Sequence, residues 1–310
     1  MTAYFTVPVT PDTPEWMEER RKSVGASEVA AIMGLSKWAT PLDIYKAKSG
    51  VDRTFDEILG FVGHASEPIM HEWVERFSGV GVILSPGFMA RSSDVPFLHA
   101  SFDRISHNPF TTWQLKTTSA YASHHWDEGI PTEYRVQVQA EMYVAGTQRA
   151  AVVVWIGGRE FRLFWEARDE RFIREQMIPS LHTFWDGVQS GVPPEPATMA
   201  EIAEVFPSEE RDLEASDTVL EALDQYAVLS SDIKAMEGER EALKVAIGNY
   251  FGTADTLTHK GRKVATFKSQ KGRAGFDARA FAADHPQLHA EYVRIGQPFK
   301  VLRTVKTKEK

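Results

Sequence analysis

Residues 98–118 read LHASFDRISHNPFTTWQLKTT. Two stretches of β-type composition, LHASFDRIS and TTWQLKTT, flank the turn sequence His107-Asn108-Pro109, so a pair of antiparallel strands is expected. Asp103 lies in the first stretch and Lys116 in the second. Pairing about the turn carries both side chains to one end of a sheet. A carboxylate on one strand and an acid-x-Lys on the next is an economical way to hold Mg²⁺ beside a phosphodiester. That hard cation takes oxygens from Asp, from a second acidic position and from a backbone carbonyl. It polarises the phosphoryl oxygen and activates a water, while a lysine orients that water or offsets developing charge. The second acidic position is occupied by Gln114. An amide oxygen can ligate Mg²⁺ but brings no charge.

Upstream, Thr13-Pro14 and Thr40-Pro41 each place an N-cap ahead of an N1 proline, starting helices over EWMEERRK and LDIYKAKS. ASEVAAIM reads as a helix closed by Gly34, and ASEPIMHEWVERFSG as another, with Glu67 in its first turn. VILSP and FMARSS add β-type segments before the Asp103 stretch. Downstream, EYRVQVQAEMYVAG returns to a helical pattern ending at Gly146, with Gln139 and Tyr143 at i and i+4 on one face. AAVVVWIG and EFRLFWEA form a hairpin about Gly157-Gly158, and DERFIREQMIPSLHTFWDGVQSG reads as one long helix. Trp155, Phe164 and Trp165 read as core rather than as a base-stacking platform, and His124-His125 as a surface loop with rings pointing apart. Helices, a strand cluster, a helix, two strands and a helix make an α/β core with a mixed sheet.

The chain has 310 residues, enough for one large domain with an appendage. With no cysteine it has no disulfide, thiol nucleophile or Cys-based zinc site. No apolar run reaches the ~20 residues of a membrane span, and the first residues do not form a secretory leader, so a cytoplasmic location is expected. The net charge of −8 is unevenly distributed: from Lys260 onward there are 13 Lys and Arg against 4 Asp and Glu, a net +9 that leaves −17 for the first 259 residues. A basic tail on an acidic body is a mild nucleic-acid signal.

Glu67, Asp103, Lys116 and Gln139-x-x-x-Tyr143, in that order, resemble the PD-(D/E)XK nucleases of the phage lambda exonuclease and YqaJ recombinase family. Trp16-x-x-x-Arg20 followed by Ala26-Ser27-Glu28 is similar to the opening motif of that family. The resemblance covers residues 14 to 190. It implies a restriction-endonuclease-like core with a central mixed sheet flanked by helices. It implies a metal held by Glu67, Asp103, position 114 and the Leu115 carbonyl, with Lys116 catalytic and Gln139 and Tyr143 supporting. Arg20, Ser27 and Ser101 fall where that family builds its pocket for a DNA 5′-phosphate. The activity implied is Mg²⁺-dependent 5′-to-3′ digestion of linear duplex DNA, with one or two ions and Mn²⁺ as a substitute. The 3′ tails would go to a single-strand-annealing recombinase, and a homo-oligomer is implied, from a phage or prophage acting in the host cytoplasm. Two departures stand out: Phe102 precedes the aspartate where the family has Pro, and Gln114 replaces an acid. Gln114 is a natural neutral ligand, a Glu exchanged for Gln so that DNA is held uncut, or the mark of an inactive DNA-end binder. A related repair endonuclease is the other enzyme reading.

The Pro-rich stretch at 193–196 and the polar stretch near Pro207 divide the chain into a core, 1–205, and an accessory region, 206–310. In the latter, Val219, Ala222, Tyr226, Leu229, Ile233, Met236, Leu243 and Ile247 recur at spacings of three and four, interrupted at Arg240. A helix or helical hairpin packed on the protein's own core is expected there ahead of an intermolecular coiled coil, followed by a basic β-hairpin turning at Lys260-Gly261.

Overall fold

The computed structural model describes residues 3–10, 13–51, 56–107, 109–296 and 299–304. They divide into two compact units, Met1–Glu201 and Ile202–Lys310.

The first unit begins with strand β1 (Tyr4–Val7), helix α1 (Pro14–Arg21) and the short strand β2 (Val24–Gly25). A 3-10 turn, Ala26–Glu28, leads into α2 (Val29–Ile32), and α3 (Pro41–Lys48) follows. Both predicted threonine caps form: Thr13 accepts the Trp16 N–H at 3.3 Å, and Thr40 accepts that of Asp43 at 3.1 Å. Helix α4 (Glu57–Phe77) starts ten residues before Glu67, so Glu67 is mid-helix and not in a first turn. Asp56 caps it by accepting the Ile58 and Leu59 N–H groups at 3.0 and 3.1 Å, and Pro68 lies inside the helix.

Strands β3 (Met89–Ser92) and β4 (Leu98–Ala100) complete a sheet of order β1-β3-β4-β2. LHASFDRIS is therefore not one strand. It breaks after Ala100, and β5 (Arg104–His107) joins a second sheet with β6 (Phe110–Thr118), β7 (Arg149–Ile156) and β8 (Glu160–Ala167). The turn between β5 and β6 contains Asn108, which lies outside the described residues. In this sheet β5 and β8 are antiparallel to their neighbours while β6 and β7 run parallel. A parallel pair needs a crossover, and α5 (Thr132–Ala145) supplies it, ending at Gly146 in the left-handed region. Of VILSP only Leu84 pairs, through an isolated bridge to Ile105.

Helix α5 is buried nearly all round. Val136, Ala140 and Val144 join the core beneath the first sheet, and Val138 and Met142 pack on Val152 and Val154 of the second. The opposite face of β6 and β7, with Trp113, Leu115 and Val153, packs on Met70 and Val74 of α4. Phe164 packs against the α5-side cluster and Trp155 against the α4 side. Trp165 is not core: it is 44% exposed and carries the Arg149 guanidinium over its ring. After β8 the expected long helix runs without a break but changes its winding, as α6 (Glu170–Phe172), a π-helical stretch at Ile173–Met177 and α7 (Ile178–Ser190). Pro179 has no N–H to continue an α-helical ladder, and it falls at the start of α7. Helix α8 (Met199–Val205) spans the division between the two units.

In the second unit α9 (Asp217–Phe251) is one continuous helix, not a hairpin. Within its own unit the apolar seam is left uncovered, Leu229 and Leu243 being 61% and 65% exposed. Strands β9 (Thr256–His259) and β10 (Arg262–Thr266) form the predicted hairpin. Its turn places Lys260 at φ 48° and Gly261 at φ 77°, the positive pair that a two-residue hairpin turn demands. Helices α10 (Ala278–Asp284) and α11 (Pro286–Tyr292) follow. Among the described residues no helix is long and apolar enough to cross a membrane.

Candidate active site

The site grows from the break between β4 and β5. The β5–β6 ladder stops at Arg104 opposite Trp113, one residue short of Asp103. Asp103 instead turns its side chain to β6, and Oδ2 accepts the Leu115 N–H at 2.8 Å. The carboxylate is thereby pinned at the strand end. Arg104 fastens it from behind: its guanidinium donates to the Asp103 carbonyl at 2.5 Å, to His71 Nδ1 at 3.0 Å and to Glu67 Oε2 at 2.9 Å. Glu67 is thus brought to the Asp103 segment through Arg104. Leu115 is paired in register with Val153 of β7.

Gln114 and Lys116 share one face of β6, since side chains alternate along a strand, and that face meets α5. Gln114 is buried, and its Nε2 donates to Glu141 Oε1 at 2.8 Å. The same oxygen accepts from Gln137 Nε2 at 2.9 Å, and Gln137 Oε1 accepts from Lys116 Nζ at 3.3 Å. Lys116 also lies over the Tyr134 ring, 5.2 Å from its centre. Gln137 and Glu141, one helical turn apart, therefore line the β6 side of α5.

Gln139 and Tyr143 do not reach Lys116. Two residues along a helix is a rotation of about 200°, which turns them away from Gln137 and Glu141. Gln139 clamps the end of β8 to the start of α6, donating to Glu166 and the Ala167 carbonyl at 3.0 and 2.8 Å and accepting the Asp169 N–H at 2.8 Å. Tyr143 sits under Arg168 beside a hollow lined by Asp94 and Arg174.

Burial pushes the Asp103 carboxyl above its ordinary range, against the pull of Lys116 and the Leu115 N–H; Glu67 adds to the rise and Arg104 opposes it. Glu141 is pushed up to about 8, first by burial and then by the Asp103 charge, with Lys116 and its two amide partners opposing. Two buried oxygens, Gln114 Oε1 and Glu141 Oε2, have no hydrogen-bond partner. Buried acceptors without donors are unusual, and oxygens from a carboxylate and an amide suit a hard divalent cation. Among the described residues no three His, Cys, Asp or Glu groups converge, so such an ion would draw on neutral as well as charged oxygen. The donor set fits Mg²⁺ by its chemistry.

A second polar cluster lies on the first sheet. Arg20 stacks on Trp16 at 4.7 Å and reaches Ser27 Oγ and Glu28 Oε1, each at 3.5 Å. Glu28 also takes the Lys48 ammonium at 2.6 Å and the Gly25 N–H at 2.8 Å. Beneath them His99 Nδ1 meets Ser23 Oγ at 2.8 Å. Gly25 leaves room for that ring, because a Cβ there would stand 3.1 Å from His99 Nε2. Burial and then Arg20, Lys48 and Arg91 hold the imidazole well below its usual range. His99 Nε2 and Ser101 Oγ, two residues apart, are both buried and unpartnered. Arg20 and Ser27 thus come together, and Ser101 follows His99 on the segment beside them. His124 and His125, in the 3-10 stretch Ala120–Trp126, sit side by side with ring centres 4.0 Å apart, not pointing apart.

Arg104, Gln137, Glu141 and His99 went unmarked in the sequence. Glu141 carried one signal, an acidic residue four positions after Gln137 in the most buried part of the helix.

The YqaJ-like viral recombinase domain model matches residues 15–148. Protein YqaJ of Bacillus subtilis (strain 168), itself uncharacterized, is 31% identical over 245 residues, which cover 74% of this chain and 75% of the relative. Among solved structures, the alkaline exonuclease LHK-Exo of Laribacter hongkongensis, in complex with dAMP, is 18% identical with a TM-score of 0.49, covering 58% of this chain and 94% of that one. A phage-related exonuclease from Haemophilus somnus 129PT is 13% identical with a TM-score of 0.43, over 55% of this chain and 96% of that one. The chain belongs to the YqaJ-like viral recombinase family. Its mixed sheet flanked by helices, with a helical and hairpin extension, is the fold expected from the order of its motifs.

Proposed function

We propose that the protein is a Mg²⁺-dependent deoxyribonuclease that digests linear duplex DNA from 5′ ends and leaves 3′ single-stranded tails. The observation that carries this reading is the Asp103 carboxylate, held by the Leu115 N–H at 2.8 Å beside the face of β6 that presents Gln114 and Lys116. Asp103, the Gln114 side-chain oxygen and the Leu115 carbonyl would hold the ion, with Glu67 reaching it on release from Arg104. When bound, Mg²⁺ supplies Lewis acidity at the scissile phosphate and lowers the pKa of a coordinated water. Lys116 orients the attacking water and offsets charge that builds on the phosphoryl oxygens, while Gln137 and Tyr134 fix its ammonium. Arg20, Ser27 and Ser101 receive the terminal 5′-phosphate, where a guanidinium fork and hydroxyls favour a dianion. In this reading residues 206–310 form an accessory region. The working form is a homo-oligomer in the cytoplasm of a host carrying the phage or prophage, and the tails pass to a single-strand-annealing recombinase.

The second reading, a DNA-end binder with an impaired site, rests on Gln114 alone. Duplexes labelled at either end, with a closed circle as control, separate the two. The nuclease reading expects Mg²⁺-dependent loss of the 5′ label first and an intact circle. Binding to ends without cleavage in Mg²⁺ or Mn²⁺ supports the second reading.

A further inference from the structure

The carboxylate missing from position 114 has a counterpart on the neighbouring helix. Glu141 is 1% exposed, as is Gln114, and the two side chains touch. A carboxylate only accepts hydrogen bonds, so the Gln114 amide must turn its NH₂ toward Glu141 and its oxygen away. Glu141 Oε1 is saturated by the two amides of Gln114 and Gln137. That leaves Glu141 Oε2 and Gln114 Oε1, both buried and neither meeting a donor. Protonating Glu141 does not cure this, because it replaces one unmet acceptor by one unmet donor. A cation reached by both oxygens satisfies them together. Asp103 is close enough for its charge to act on Glu141, and Lys116 acts on both carboxylates.

We propose that Glu141, on α5, supplies the charged oxygen that Gln114 lacks, so that the divalent cation is held by Asp103, Glu141 Oε2 and Gln114 Oε1. The inference rests on the nuclease reading and deepens it. It makes Gln114 and Glu141 a carboxylate–amide pair whose order along the chain can be exchanged without loss. It also explains how a neutral residue sits at an acid-x-Lys position without a deficit of charge at the ion.

The test is calorimetric titration of the full chain with Mn²⁺ alone, without DNA, at about pH 8 so that Glu141 can ionise. Four variants are compared with the parent: Glu141→Gln, Gln114→Glu, the exchange Gln114→Glu/Glu141→Gln, and Asp103→Asn. Loss of one charged ligand should weaken Mn²⁺ binding by roughly tenfold or more in Glu141→Gln, and the exchange should recover it to within about threefold. Melting temperatures with and without Mn²⁺ give a second readout, since an ion bound only by the native state stabilises it. Gln114→Glu places two carboxylates side by side, so Mn²⁺ should raise its melting temperature more than it raises the parent's. That arm decides the matter if Glu141→Gln does not fold. Parent-like Mn²⁺ affinity in Glu141→Gln, or an equal Mn²⁺ increment in Gln114→Glu and parent, overturns the assignment. If Asp103→Asn alone loses the ion, the nuclease reading survives that result. A parent that neither binds Mn²⁺ nor cuts DNA overturns both.

Discussion

Replacing Arg20 by Gln separates a 5′-phosphate receptor from a structural arginine. In the free protein the guanidinium makes two long polar contacts of 3.5 Å, to Ser27 and Glu28, and lies over the Trp16 ring at 4.7 Å; its side chain is 23% exposed. The polar contacts contribute less than about 1 kcal/mol and the ring contact about 0.5–1 kcal/mol. Glu28 keeps the Lys48 ammonium at 2.6 Å when Arg20 is removed, so no carboxylate is left unpaired. Folding should therefore be almost unchanged, with a melting temperature within a few degrees of the parent. A charge-assisted hydrogen bond to a phosphate dianion contributes about 1.5–3 kcal/mol, which corresponds to roughly 10- to 150-fold. Initial rates on 5′-phosphorylated duplexes should fall by that factor, while rates on 5′-hydroxyl duplexes fall little. The assay is parallel digestion of the two substrates under subsaturating enzyme. Equal slowing on both ends would refute the reasoning and make Arg20 a general ligand of the DNA backbone.

The His99 cluster and the basic hairpin each yield a further expected outcome. The folded state holds His99 neutral, through burial and Arg20, Lys48 and Arg91, whereas the unfolded chain protonates it near 6.5. The unfolded state then binds more protons below that value, so this contribution to stability is complete above it. It falls by up to about 1.4 kcal/mol per unit as pH drops toward the folded value. Urea midpoints should decline between about pH 7 and about pH 5, and His99→Gln should flatten that decline; parallel slopes would contradict it. Changing Lys260, Arg262, Lys263 and Lys268 together to Gln should lessen the slope of log affinity against log salt by about 0.9 for each phosphate that is no longer neutralised. An unchanged slope would mean that this hairpin does not touch DNA.

What the sequence disclosed was local. Thr13-Pro14, Thr40-Pro41, Gly146 and Lys260-Gly261 encode their caps and turns in adjacent residues, and each formed as read. The break within LHASFDRIS was hidden because composition favours one strand throughout, and the Leu115 N–H that Asp103 accepts off the ladder lies 12 residues further on. Glu67 was misplaced because the helical pattern was read only from Ala65 onward, whereas Asp56 upstream holds the true cap. The face of α5 that meets β6 was the hardest to find. A helix buried nearly all round has no clear polar stripe to fix its rotation, so the sequence pointed to Gln139 and Tyr143 and passed over Gln137 and Glu141. The carboxylate absent at Gln114 and the one present at Glu141 are 27 residues apart and meet only in the folded chain. The exposed seam of α9 shows the converse: its periodicity was legible, but periodicity does not say what covers a face.

The most direct measurement is the single-turnover rate of duplex digestion in Mg²⁺ by the parent and by Asp103→Asn. Asn keeps an oxygen to accept the Leu115 N–H and removes a buried charge beside Glu141, so the variant should melt no lower than the parent. Its rate should fall by roughly 10³-fold or more, about 4 kcal/mol of transition-state stabilisation, while it still binds duplex ends. A folded Asp103→Asn protein that digests linear duplex within about tenfold of the parent rate, a loss of only about 1.4 kcal/mol, would contradict the assignment of this cluster as the hydrolytic centre.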